Sequence, residues 1–256
     1  MESKLNYFLD PNFRFNEEDH TYVYLDSNTG KPVQTFESVT GLVGKFKKPF
    51  ASHFIAGRVA NKRGVSRESV LNEWAQISNT ALTLGTAVHK WIEDFYNGED
   101  PPIPEDPIIA GRVQKFKQLY EARLNLLTPI KQEFRVFSRK WNLAGTMDKL
   151  AKFEGDSTKY YVGDWKTNKK FTTDEVPEGR GQKLLWPFDD LYDNSLNSYS
   201  IQISTYRLLL QEEANFPTHG GFVVWIGPEG DPQIHKTLDL RDRIQYYLNK
   251  KQNNEL

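Results

Sequence analysis

Asp148, Asp164 and Lys166 are the residues whose types and spacing could do chemistry together. In Tyr160-Tyr161-Val162-Gly163-Asp164-Trp165-Lys166, strand residues two apart share a face, so Asp164 and Lys166 project together from the end of an apolar strand. A surface salt bridge on an edge strand would give the same pattern. The apolar lead-in Tyr161-Val162 argues instead for a buried strand. Asp148 follows Ala144-Gly145-Thr146-Met147, on a strand expected to form a hairpin with the Asp164 strand through a turn near Gly155. Two carboxylates on neighbouring strands repel each other unless a cation lies between them. Hard oxygen ligands suit Mg²⁺ or Mn²⁺.

Three other groups stand near this trio in type or spacing. His89 lies in the helical run Leu84-Gly85-Thr86-Ala87-Val88-His89, with Glu93 one turn on and on the same face. A lone helical histidine is more often structural than a ligand. Gln202 and Tyr206 are i and i+4 partners, suited to core bonding or to placing an amide and a phenol over a phosphate. From Ser38 to Arg67 there is no acid, while Lys45, Lys47, Lys48, Arg58, Lys62, Arg63 and Arg67 fall inside the run. A solvated helical face and a phosphate-contacting surface both fit it, with Phe46, Phe50 and Phe54 available for packing or base stacking.

The elements that must position these residues follow from periodicity. His20–Leu25 and Val33–Val39 read as an edge hairpin around turn residues 26–30. Residues 68–78 and 81–97 read as two helices, and Ile108–Leu127 as another after a Pro-rich stretch. Strands are expected at 131–138, 142–154 and 159–166, then a polar, aperiodic loop at 167–196, of the length that is usually functional or mobile. Ser198–Ala214 reads as a helix, Phe222–Ile226 as a buried strand, 233–238 as a further strand and Leu240–Lys250 as a closing helix. The order predicts an α/β sandwich with a mixed central sheet flanked by helices. Residues 1–79 would carry the N-terminal strands and basic helices. Residues 80–256 would form the core, with a helical insertion near 100–128.

Composition narrows the classes. A chain of 256 residues with 38% hydrophobic and 13% aromatic content can bury a large core. With Cys 0, disulfides, zinc–thiolate sites, iron–sulfur clusters and cysteine nucleophiles are excluded. No apolar run approaches a membrane span, and Met1–Phe15 is too polar for a signal peptide, so a cytoplasmic setting is expected. The net charge of −1 does not by itself indicate a nucleic-acid partner. There is no phosphate-loop sequence, hence no ATP site, and no Gly-x-Ser-x-Gly.

The ordered set Gly85-Thr-x-x-His89, Gly145-x-x-Asp148, Asp164-x-Lys166-Thr167 and Gln202-x-x-x-Tyr206 resembles the PD-(D/E)XK nuclease superfamily, within it the RecB-type and phage exonuclease branch. His20-Thr-Tyr22, Ser38-Val-Thr40 and Trp74 add to the likeness, which spans residues 18–227. The resemblance implies a restriction-endonuclease-like core and a metal-dependent DNA nuclease, most readily an exonuclease, in phage or bacterial replication, recombination or repair. It implies His89, Asp148, Asp164 and the Trp165 carbonyl as ligands of one or two Mg²⁺ or Mn²⁺ ions, and Lys166 as the catalytic lysine. Glu93 and Glu133 would orient ligands. Gln202, Tyr206 and Thr167 would face DNA, single- or double-stranded, together with Lys45, Lys47, Lys48, Arg58, Lys62 and Arg63. Replication or recombination proteins would be further partners. An endonuclease of the same fold and a non-catalytic DNA-binding subunit are the alternatives, although this chain keeps the acids and the lysine that such subunits typically lose.

Overall fold

In a computed structural model the structure describes residues 1–173 and 181–255. The architecture is mixed α/β: one eight-stranded mixed sheet flanked by helices. A 3-10 helix (Glu2–Leu9) leads into strands β1 (Phe13–Asn16), β2 (Thr21–Leu25) and β3 (Pro32–Ser38), and then helices α1 (Val39–Lys45), α2 (Ser52–Arg63), α3 (Arg67–Tyr96) and α4 (Pro107–Ala122). Strands β4 (Leu127–Ser138), β5 (Leu143–Phe153) and β6 (Asp156–Lys166) follow, then α5 (Ser195–Ala214), β7 (Gly220–Trp225), β8 (Gln233–Lys236) and α6 (Arg241–Gln252).

Three sequence expectations change. The helix expected over Ile108–Leu127 ends at Ala122, and Leu127 already belongs to β4. The helices expected at 68–78 and 81–97 are one continuous helix, so position 79 lies inside α3. The hydrophobic period lapses there because Ala75–Thr83 is exposed on every side, and periodicity reports burial, not helicity. The N-terminal hairpin gains a third strand, β1, and joins the main sheet through parallel pairing of Glu37 and Ser38 in β3 with Leu143 and Ala144 in β5. Of the loop expected at 167–196, residues 174–180 lie outside the described residues.

The sheet forks where the chemistry is expected. One edge of β5 is taken by β4 along its whole length. Its other edge pairs with β3 only at Leu143 and Ala144, and with β6 from Lys149 onward. Gly145 to Asp148 therefore lie between two diverging neighbours. Beyond that point β6 stays in the sheet by pairing in parallel with β7, Asp164 opposite Val223 and Lys166 opposite Trp225. In open α/β sheets the point where neighbouring strands diverge is the usual place for a ligand.

Alternation along β6 divides the core into two layers. Tyr160 and Val162 belong to the main cluster with Ile201, Tyr206 and Leu209 of α5. Trp165, with Tyr161 packed beside it, belongs to a second cluster with Val88, Trp91 and Ile92 of α3 and Phe116 of α4. Asp164 and Lys166 follow the α5 side, so their neighbours are set by that helix.

Candidate active site

The strand pattern places Asp164 and Lys166 together as expected. Lys166 Nζ lies 2.5 Å from Asp164 Oδ2, and Asp164 is only 1% exposed. Gln202 Nε2 donates to Asp164 Oδ1 at 3.2 Å and to the Tyr206 hydroxyl at 3.3 Å, so the i, i+4 pair on α5 is buried beside the acids. The backbone N–H of Trp165 donates to Asp148 Oδ2 at 2.7 Å and bridges the fork between β5 and β6. His89 Nδ1 stands 3.5 Å from the same oxygen.

Glu133 sits nearer the centre than a supporting role requires. It falls opposite Asp148, between the Gln132–Lys149 and Phe134–Met147 pairs of the β4–β5 ladder. Directly opposed like charges destabilise a sheet. Glu133 also holds a left-handed φ of +42°, a conformation costly for a residue with a side chain and concentrated at functional sites. One ligand atom each from His89, Glu133 and Asp148 lies within 4.8 Å of the others, which makes these three a possible metal-binding triad.

Electrostatics mark the same spot. Burial pushes the Glu133 carboxyl up to about 8, reinforced by the charges of Asp148, Glu93 and Asp164. Burial, and then Asp148, raise Asp164 to about 6, against the pull of Lys166. Burial opposes the charge on Lys166, but Asp164 and Asp148 more than offset it and hold the amine above the ordinary lysine value. Burial raises the Tyr206 phenol well above its usual range, so it remains a neutral hydroxyl. Three carboxyl groups brought together, with one lysine on their flank, form a centre short of positive charge. A nitrogen and hard oxygens facing that deficit fit a divalent cation.

The glycines of the site have packing reasons. A Cβ on Gly145 would stand 2.8 Å from Tyr206 Cε1 and 3.0 Å from Val39 Cγ2. A Cβ on Gly85 would stand 3.2 Å from Thr167 Oγ1, so this position lets α3 bring His89 against the sheet. The N-terminal residues close the other flank: the Tyr22 hydroxyl is 3.0 Å from Thr146 Oγ1, and Ser38 Oγ caps α1 by accepting from the N–H of Gly41. We therefore expect Gly145→Ala to lose about 1–3 kcal/mol by overpacking. Urea unfolding should report this, together with reduced activity, because the displaced ring is that of Tyr206.

The remaining expected residues are dispersed. Glu93 pairs with Lys90 at 3.6 Å and adds to the field on Glu133. Lys45, Lys47 and Arg63 are ion-paired with Glu37, Asp193 and Glu73, which lowers their availability to phosphates. Lys48, Arg58 and Lys62 are exposed and enter no ion pair among the described residues. Phe46 is buried against Phe188 and Tyr247, whereas Phe50 and Phe54 are 66% and 68% exposed. Sequence reasoning passed over Tyr199, whose ring lies 4.8 Å from Lys166 Nζ. Its spacing of three from Gln202 and seven from Tyr206 carried the signal. It also passed over Lys149, which is buried, faces away from Asp148, lies 3.7 Å from the centre of the Tyr96 ring and is lowered by burial to about 7.

Neither a protein-family profile nor a curated protein matches the sequence. Among solved structures the chain is similar to a "Putative exonuclease" from Eubacterium rectale, at 12% sequence identity and a TM-score of 0.37, over 69% of each chain. Among the described residues no helix is long and apolar enough to cross a membrane.

Proposed function

We propose that the chain is a divalent-metal-dependent DNA nuclease of the PD-(D/E)XK kind, in its RecB-type and phage exonuclease-like branch. We take its reaction to be exonucleolytic hydrolysis of phosphodiester bonds, serving phage or bacterial DNA replication, recombination or repair in the cytoplasm. The observation that carries this reading is the convergence of Glu133, Asp148 and Asp164 with His89 and Lys166 in the fork of the sheet.

A phosphodiester is anionic, so its hydrolysis needs charge neutralisation, a nucleophile at neutral pH and stabilisation of the leaving oxygen. His89, Glu133 and Asp148 would hold Mg²⁺ or Mn²⁺, with Asp164 and the Trp165 carbonyl as further donors. When bound, such an ion polarises a phosphoryl oxygen and lowers the pKa of water. The protein supplies the rest. Lys166, kept charged by its acidic neighbours, donates hydrogen bonds to the oxygens that gain charge. Trp165 N–H fixes the Asp148 carboxylate, and Gln202 fixes Asp164, so neither acid must reorganise during turnover.

End-labelled linear and circular DNA, single- and double-stranded, incubated with Mg²⁺, Mn²⁺ or chelator, tests the reading. We expect linear substrates to be digested with either ion and spared in chelator, and circles to survive. Cleaved circles would identify an endonuclease. Intact DNA under every condition would overturn the enzymatic reading.

A further inference from the structure

We propose that α2 and the N-terminal half of α3 form an arm that grips an unpaired DNA strand leading to the acidic cluster. The inference rests on the nuclease reading for its ligand, but not for its geometry. Ala56 and Ala60 of α2 pack with Val70 of α3, joined by Val59, Leu71 and Trp74, as a small core of their own. Among the described helices and strands, α3 is the one substantial packing partner of α2. Between this small core and the body, Ala75–Thr83 of α3 is exposed all round for about two and a half turns. The hairpin therefore stands off the sheet. Its root is the site itself: Gly85 abuts Thr167, next to Lys166, and His89 follows one turn later.

The outward face of α2 has the chemistry of a single-strand ligand. Phe54, Arg58 and Lys62 recur at i, i+4 and i+8, nearly opposite the buried Ala56 and Ala60. The phenyl ring is about two-thirds exposed, and neither cation has a carboxylate partner among the described residues. Phe50, equally exposed, leans on Trp74 at 5.9 Å. No acid occurs from Ser38 to Arg67. Cations that track phosphates, interleaved with free aromatic faces, make a stacking platform for unpaired bases. A duplex offers phosphates but hides its base faces, and the centre of a protein interface is depleted of charge. The antiparallel hairpin puts Phe54 at the end nearer the body and Lys62 at the outer end. From Trp74 to His89 is fifteen residues of helix, about 22 Å. At about 3.4 Å per stacked nucleotide, a strand needs roughly six or seven nucleotides to engage both arm and acids.

The test uses the full chain in chelator, so binding is read without cleavage. Fluorescence anisotropy with labelled oligothymidylates of 4, 8, 12 and 20 nucleotides, across salt, compares wild type with Phe54→Ala, Phe54→Trp, Phe54→Leu and the pair Arg58→Ala/Lys62→Ala. We expect wild-type affinity to rise sharply between 4 and 12 nucleotides. Phe54→Ala and Phe54→Leu should weaken binding of the 20-mer about tenfold, while Phe54→Trp keeps it. The double variant should lower the salt slope by about 1.4, for two phosphate contacts on a single strand. Four outcomes would overturn the proposal: no binding of the 20-mer by wild type; unchanged affinity in every variant; equal losses for single strands and a 20-base-pair duplex; or a wild-type oligomer that dissociates in the variants while DNA affinity stays constant, which would assign the face to protein contact. Hydrolysis of bis(p-nitrophenyl) phosphate with Mn²⁺ is read in parallel. Its absence in wild type would count against the nuclease reading alone.

Discussion

Replacing Lys166 with methionine is expected to reduce DNA cleavage by about 10²–10³-fold while leaving the chain folded and DNA affinity in Ca²⁺ nearly unchanged. The geometry decides the role behind this loss. The amine is 2.5 Å from Asp164 Oδ2, lies over the Tyr199 ring and is held above the ordinary lysine value by Asp164 and Asp148. In the metal-free site these acids favour its charged form. In the proposed reaction Lys166 would donate hydrogen bonds and positive charge to the phosphate, and would not remove a proton from water. Two results follow. Lys166→Arg, a residue that cannot act as a base, should retain far more activity than Lys166→Met. The alkaline limb of the wild-type pH–rate profile should show no lysine ionisation. Methionine fills the aliphatic volume, and Asp164 can take up a proton when its partner goes, so the cost in stability stays below that of stranding a buried charge. Wild-type rates in Lys166→Met, or an alkaline ionisation that vanishes in Lys166→Arg, would refute the assignment.

The strand hairpin that unites Asp148 and Asp164 was legible because local alternation and a turn near Gly155 determine it. The placement of Lys166 beside Asp164 needed only the two-residue repeat. What could not be read was the relation between segments remote in sequence. Nothing local shows that β3 and β6 take different stretches of one edge of β5, yet that fork sets the surroundings of Gly145 to Asp148. Glu133 reads locally as a mid-strand acid, and the resemblance gave it only a part in orienting ligands. Only the register against β5 brings it opposite Asp148, and only the backbone shows its left-handed φ. The single helix α3 was missed for the complementary reason. Its middle turns bury nothing, so they left no hydrophobic period to detect. The basic run was visible as charge, but which cations are already paired depends on Glu37, Asp193 and Glu73, each brought in by folding or by a neighbouring helix.

Glu133→Gln is expected to make the metal-free protein more stable and the enzyme nearly inactive. In chelator the Glu133 carboxyl is pushed up to about 8, first by burial and then by Asp148, Glu93 and Asp164. Between its ordinary value near 4.5 and about 8 the folded state holds a proton that the unfolded chain has released. The native state then binds more protons, so stability falls as pH rises through that window. Asp164, raised from 3.8 to about 6, adds a decline of the same sign at lower pH. Glutamine mimics the protonated acid. The variant should lose the Glu133 decline across the window from 4.5 to about 8 and keep the Asp164 decline between 3.8 and about 6. At pH 8, discounting for the partial exposure of Glu133, the gain is on the order of 1 kcal/mol, or about 2–4 °C in Tm. Divalent ions reverse the order. Mn²⁺ should raise the wild-type Tm more at pH 8 than at pH 6, because fewer protons must be displaced, and should raise that of Glu133→Gln much less at either pH. Activity should fall at least 10–100-fold, the loss expected even for a partner that only orients a ligand. Thermal melts at pH 6 and 8, in chelator and in Mn²⁺, measure all of these quantities. A variant less stable than wild type in chelator at pH 8, or one with a full Mn²⁺ response, would remove Glu133 from the ligand set and leave Asp164 to complete it.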